Sequence, residues 1–264
     1  MKKKILTILM AGMMLLPAGC GQKEPEIPSV LDDGVLVVGL LDTEDRSCFR
    51  TLDANGDPYY AGWEPQILTL LDEKMEEVTL EYRFAKTQDE LITWLNTGEI
   101  ELAAGSFTRL ETLGQQYLLS DDYGYGSLYL VNKRNGYLDT MAGFTDEAVG
   151  ISSRIPVNDI ADIKGIETVV QNVYGDVATM GTDITNGVIA AGVCTETEAV
   201  YLMDHTDLQV IEMRKSPDVA MVFLMPVGQS SLLKWTNYAI DLNFYNIAMG
   251  ITGDEEETQS GGGE

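Results

Sequence analysis

Residues 78–104 read VTLEYRFAKTQDELITWLNTGEIELAA, and the fold class follows from this stretch. Val78, Leu80, Tyr82 and Phe84 alternate with Thr79, Glu81 and Arg83, the period of two expected of a strand with one apolar face. Thr87-Gln88-Asp89-Glu90 has capping-box spacing, Leu91, Trp94 and Leu95 form the buried stripe of the helix that follows, and Gly98 stops it. Ile100 to Ala104 then reads as a second strand. A strand, a helix and a strand in this order predict a parallel pair with a right-handed crossover. Working outward, Val35 to Leu40 is short and almost wholly apolar, as a strand covered on both faces is. A polar, turn-rich loop through Asn55-Gly56-Asp57-Pro58 separates it from a helix opening near Glu64-Pro65, whose apolar face is Ile67, Leu70, Leu71 and Met75. Strand, helix, strand, helix, strand is the order of a doubly wound α/β lobe.

A second set of elements follows without sequence repetition. Ala148 to Ile151 is predicted as strand, Pro156 to Val173 as mostly helix, Val177 to Asn186 as helix and Val188 to Val193 as strand. Glu196 to Met203 reads as a short helix, Leu208 to Met213 as strand, Met221 to Val227 as apolar and extended, and Leu232 to Met249 as a closing helix. A chain of 264 residues is long enough for such a fused pair, each half burying a core of its own.

The flanks carry no fold. Lys2, Lys3 and Lys4 precede an apolar run from Ile5 to Leu16, then Ala18, Gly19 and Cys20, which is the layout of an export signal and too short to span a bilayer. Gln22 to Val30, with Pro25 and Pro28, reads as a tether. From Gly253 onward the chain is acidic and rich in glycine, and it is expected to be a disordered tail.

A formal net charge of −25 argues against nucleic acid and anionic lipid heads as partners. Besides Cys20, only Cys48 and Cys194 remain, too few for a disulfide framework and without zinc-type spacing; they read as two unpaired thiols in different lobes. One histidine, His205, and no His/Cys cluster lead us to expect no metal and no cofactor. The sequence holds no Ser/His/Asp arrangement, so no catalytic residue is nominated and an enzyme is not the expected class.

Several segments occur together in a telling order: Val35-Leu36-Val37-Val38-Gly39, Asn55-Gly56 leading to Ala61-Gly62-Trp63-Glu64, Asp89 through Gly105, Ser120-Asp121-Asp122-Tyr123, and Asn186 through Ala191. Over residues 32–250 the chain thereby resembles the type II solute-binding proteins of bacterial polar amino acid importers. The export signal resembles the bacterial lipobox, implying cleavage before Cys20 and lipidation of its sulfur, although Pro17 departs from that pattern and Leu16 sits one place too far out. The resemblance implies a two-lobed α/β fold, type II periplasmic-binding-protein-like, each lobe a mixed sheet flanked by helices. Its segments would be a signal peptide at 1–19, a lipid-anchored linker at 20–31, lobe 1 at 32–128, lobe 2 at 129–222, a return crossover with a C-terminal helix packing on lobe 1 at 223–250, and the tail at 251–264. The implied function is that of an extracytoplasmic, lipid-anchored monomer that closes on a small polar solute, amino-acid-like, and delivers it to the membrane subunits of an ABC importer. A ligand-sensing or assembly role and a dehydratase-like enzyme on the same fold remain open.

By the same resemblance the ligand lies between the lobes. The family's carboxylate-binding arginine lies three residues after a threonine; here Thr108 is followed at that distance by Glu111, and Arg109 is adjacent instead. Ser106 and Thr108 offer hydroxyls from the same loop. In lobe 2, Ser153 and Arg154 precede a helix and could attract an anion, Thr195 aligns with the family's ammonium-binding acid, and Glu196 follows it. Phe49 and Trp63 stand where aromatic walls are expected, with core packing the alternative for Trp63.

Overall fold

The computed structural model describes residues 34–42, 45, 47–75, 78–133, 140–214 and 216–249. The expected signal peptide, Cys20, the linker and the acidic tail lie outside the described residues. The first half runs through β1 (Val35–Leu41), β2 (Phe49–Leu52), β3 (Pro58–Ala61), α1 (Trp63–Lys74), β4 (Thr79–Ala85), α2 (Gln88–Thr97), β5 (Leu102–Thr108), α3 (Glu111–Gly114), β6 (Tyr117–Leu119) and β7 (Gly124–Gly126). The second contains β8 (Leu128–Asn132), β9 (Ala148–Ser152), α4 (Val157–Asp162), β10 (Val170–Tyr174), α5 (Val177–Asn186), β11 (Ala191–Thr195), α6 (Glu196–His205) and β12 (Gln209–Glu212). The chain then returns through β13 (Val219–Pro226) and α7 (Ser230–Met249).

Two mixed sheets result, one ordered β4-β1-β5-β13-β6, with β7 also on β13, the other ordered β10-β9-β11-β8-β12. β1 lies parallel to both β4 and β5, as the strand, helix, strand reading requires. β1 is covered on both faces: Leu36, Val38 and Leu40 join a core with α1 and α7 residues such as Leu68 and Trp235, while Leu41 joins Leu91 and Leu95 of α2 on the other side. Burial on both faces explains why β1 and the first half of β5 are apolar runs while the sequence of the edge strand β4 alternates.

Local signals set the helix ends. Thr87 accepts from the Glu90 amide at 3.1 Å, and Gly98 closes α2 in the left-handed region at φ 73. The Glu90 carboxylate reaches back one residue further than a capping box requires, to the Lys86 amide at 2.8 Å.

The structure departs from the sequence reading in several places, and α3, β6 and β7 have no counterpart in it. Between Pro156 and Val173 only α4 and a 3-10 turn at Ile166–Thr168 are helical, because Gly165 turns the chain at φ 87, and the rest becomes β10. The loop through Asn55-Gly56 is the tip of the β2–β3 hairpin, where Asp53 accepts from the Asn55 and Asp57 amides at 2.8 Å each. The two segments that the resemblance makes extended crossovers are strands: Leu128 to Asn132 is β8, paired with β11 and β12 in the second sheet, and Met221 to Val227 is largely β13, antiparallel to β5 in the first. The chain therefore passes between the sheets at Ser127 and again between β12 and β13, and the Ser127 hydroxyl donates to Glu212 at 2.8 Å across these two passages.

Candidate functional site

The parallel strands β1, β4 and β5 end on the same side of the first sheet, and the loops leaving them face α5, α6 and the turn after β9. At the end of β5, Ser106 holds φ 52, an unusual backbone for a side chain larger than glycine. Two carboxylates hold it there. Its amide donates to Glu64 Oε1 at 2.8 Å, and its hydroxyl donates to Asp45 Oδ2 at 2.8 Å. Asp45 also accepts from the Ser47 amide at 2.9 Å, the Cys48 amide at 3.2 Å and, from the other half, the Thr197 hydroxyl at 2.7 Å.

A second junction lies beside the first. The Thr108 hydroxyl donates to the Arg154 carbonyl, and the Arg154 guanidinium donates to Gln88 Oε1 and, at 3.3 Å, to Asp89 Oδ1. Arg154 Nε lies 3.5 Å from Glu198 of its own half. Glu198 is itself fixed by the Ser152 hydroxyl at 2.8 Å and by the Thr195 amide and hydroxyl at 3.1 Å each. Gln88 is buried, and its amide nitrogen donates to the Gly105 and Ser106 carbonyls at 2.6 and 3.1 Å. Arg154 thus forms a planar cationic bridge between the halves, oriented by the buried Gln88 on one side and the buried Glu198 on the other.

Next to this bridge opens a cavity of about 590 Å³, bordered by Asp42, Lys86, Gln88 and Asp89 from one half and by Arg154, Asp176, Thr197, Glu198 and the outer side of α6 from the other. That volume is in the range of small-molecule sites. On α6, Tyr201 and His205 stack with ring centres 4.2 Å apart and form one wall. Among the described residues no group of three or more His, Cys, Asp or Glu is arranged to hold a metal ion.

Of the residues nominated from sequence, Arg154 lines the cavity, while Ser106, Thr108 and Thr195 belong to the hydrogen-bonded junctions beside it. Glu196 is buried at the first position of α6. Arg109 points elsewhere, donating to Asp122 and the Ser120 carbonyl. Ser153 is exposed, its amide bonded to the Tyr174 carbonyl at 2.8 Å, and Phe49 lies on the β2–β3 hairpin, 38% exposed. Trp63 packs against the first core with its ring over Gly124. Asp45, Gln88, Thr197, Glu198 and Tyr201 were not nominated. For Glu198 a signal existed, since Thr195-Glu196-Thr197-Glu198 repeats the capping-box spacing of Thr87 to Glu90.

The Trp63 contact has a measurable consequence. An alanine Cβ at position 124 would sit 2.6 Å from Trp63 Cε3 and 2.8 Å from Cζ3, and a rigid indole cannot yield as a chain end does. Gly124→Ala is expected to lower unfolding free energy by about 1–3 kcal/mol in urea titrations. Unchanged stability would mean that the ring is free to move off this strand.

Two α/β halves that meet through fixed polar bridges beside a mixed-charge cavity define a two-lobed binding protein. The chain belongs to the bacterial extracellular solute-binding proteins, family 3, whose model matches residues 36–244. No curated protein matches the chain. Solved structures share its fold. An amino acid ABC transporter substrate-binding protein, AbpA from Streptococcus pneumoniae bound to L-arginine, is 15% identical, with 83% of this chain and 91% of that one covered and a TM-score of 0.55. The ancestral amino acid-binding protein AncCDT-1, a precursor of cyclohexadienyl dehydratase, is 18% identical, with coverages of 84% and 93% and a TM-score of 0.53. The periplasmic VFT2 domain of Bordetella pertussis BvgS is 18% identical, with coverages of 84% and 92% and a TM-score of 0.60. Family membership places the protein's work outside the cytoplasm, and among the described residues no helix is long and apolar enough to cross a membrane.

Proposed function

We propose that the protein captures a small polar, amino-acid-like solute between its lobes and delivers it to the membrane subunits of an ABC importer. The observation that carries this reading is the cavity itself, walled from both halves and bordered by the Arg154 bridge. Lobe 1 would be residues 32–128 with the C-terminal helix, and lobe 2 the segment from 129 to the return into β13. Closure would turn on Ser127 and on the segment between β12 and β13, where the chain passes from sheet to sheet. A solute touching both lobes favours the shut form by its difference in affinity between open and shut, and the shut form is what a membrane partner would read. Lipidation at Cys20 would keep the binding lobes at the membrane face as a tethered monomer. The network of carboxylates and hydroxyls is engaged in joining the lobes, which supports capture rather than turnover.

A thermal-shift screen of the purified protein against amino acids, amines, short peptides and sugars tests this. A true solute is expected to raise Tm in step with ln(1 + [L]/Kd). Conversion of a cyclic carboxylic acid on incubation, or silence across all four classes, would count against capture.

A further inference from the structure

The charges around the cavity narrow the class of solute. Five carboxylates border it, on Asp42, Asp89, Asp176, Glu198 and Asp204, against two cations, Lys86 and Arg154. Both cations are already engaged: Lys86 pairs with Asp42, and Arg154 pairs with Asp89 and Glu198. Arg109, the remaining candidate for a carboxylate clamp, is turned to Asp122. The N-termini of α2, α5 and α6 also open on this space, but each is already answered: Thr87 accepts from the Glu90 amide, Asp176 accepts from the Ala178 and Thr179 amides, and α6 carries Glu196 and Glu198 in its own first turn. A ligand carboxylate entering this space would meet excess negative charge and would have to break a formed ion pair to find a partner.

The acids, by contrast, are in surplus. The Asp204 side chain is exposed on α6 and has no hydrogen bond or ion pair with another described residue. Asp176 caps α5, accepting from the Thr179 amide at 2.9 Å and its hydroxyl at 2.6 Å, contacts that hold its carboxyl below the usual range and keep it ionised. Walls of low dielectric focus such a field into the space between them. The stacked rings of Tyr201 and His205 add a flat surface suited to methylenes or to a guanidinium face.

We infer that the cavity's solute is an organic cation with two or more positive groups and no free carboxylate, an oligoamine or a guanidine-bearing amine. The inference rests on capture of a small polar solute between the lobes and replaces the amino-acid-like solute of that reading with a carboxylate-free one. Isothermal titration of the full chain with spermidine, agmatine, arginine and glutamate tests it. Spermidine or agmatine is expected to bind at least tenfold more tightly than arginine, and glutamate is expected not to bind. Asp204→Asn, at an exposed position without partners, is expected to weaken the preferred cation about tenfold, whereas Glu73→Gln, the same charge change on the exposed side of α1, leaves it unchanged. Arginine binding as tightly as agmatine would overturn the carboxylate-free class and leave capture standing. Equal losses in the two variants would overturn the local role of Asp204, and no binding of any of the four compounds would overturn the cation class, with capture itself then judged by the wider thermal-shift screen.

Discussion

Phe223→Ala is expected to cost about 3–5 kcal/mol of unfolding free energy, the usual range for deleting a fully buried aromatic ring. Phe223 has no exposed surface and lies in β13, the strand that joins β5 to β6 and β7. Its ring stacks on Tyr123 at 4.5 Å and 28°, and the Tyr123 hydroxyl donates to Glu64, which in turn holds the Ser106 amide. Removing the ring therefore does two things. It opens a cavity in the core shared by α1 and α7, and it removes the surface against which the phenol is aligned toward the site. Urea titration reads the first effect, and the affinity for whichever solute the thermal screen identifies reads the second. A loss below about 1 kcal/mol would mean that neighbouring side chains refill the space, and the link from core to site would then be unsupported.

What the sequence made legible was what short-range patterns encode. The run from Val78 to Ala104 specified a strand, a capped helix and a strand because alternation, the Thr87 cap and Gly98 each act within a few residues. β10 escaped because it is an edge strand with most of its side chains exposed, so burial imposes no alternation on it, and Ile160, Ile163 and Ile166 just before it keep helical spacing. The site was less legible for a different reason. Asp45 meets Thr197 and Thr108 meets Arg154 across the two halves, and nothing local marks either partner. Arg109 illustrates the converse: its position beside Thr108 suggested the cleft, but a long side chain is directed by where its charge is satisfied, and Asp122 with the Ser120 carbonyl satisfies it away from the cavity. The surplus of acid around one cavity becomes visible only when α2, α5 and α6 are brought to the same space.

Glu64→Gln is expected to change how stability depends on pH more than it changes stability at any one acidic pH. Glu64 is fully buried; burial, the largest influence, pushes its carboxyl up to about 7, with the nearby Asp45 charge adding to the rise and the Ser106 amide and Tyr123 hydroxyl opposing it. A carboxyl raised in the folded state binds its proton more tightly there than in the unfolded chain, so its contribution to stability is greatest below about 4.5 and declines as pH climbs to about 7. At roughly 1.4 kcal/mol per tenfold change, that decline amounts to about 3 kcal/mol. Glutamine preserves an oxygen able to accept from Ser106 and Tyr123 but carries no proton to lose. The variant's stability relative to the parent is therefore expected to rise by about 3 kcal/mol between pH 4 and pH 8, read by urea titration at each pH. Because every other titrating group is common to both proteins, the difference isolates position 64. Parallel stability curves would mean that Glu64 carries its charge at neutral pH in the folded state, and the buried carboxyl beneath Ser106 would then have to be treated as a standing anion at the base of the site.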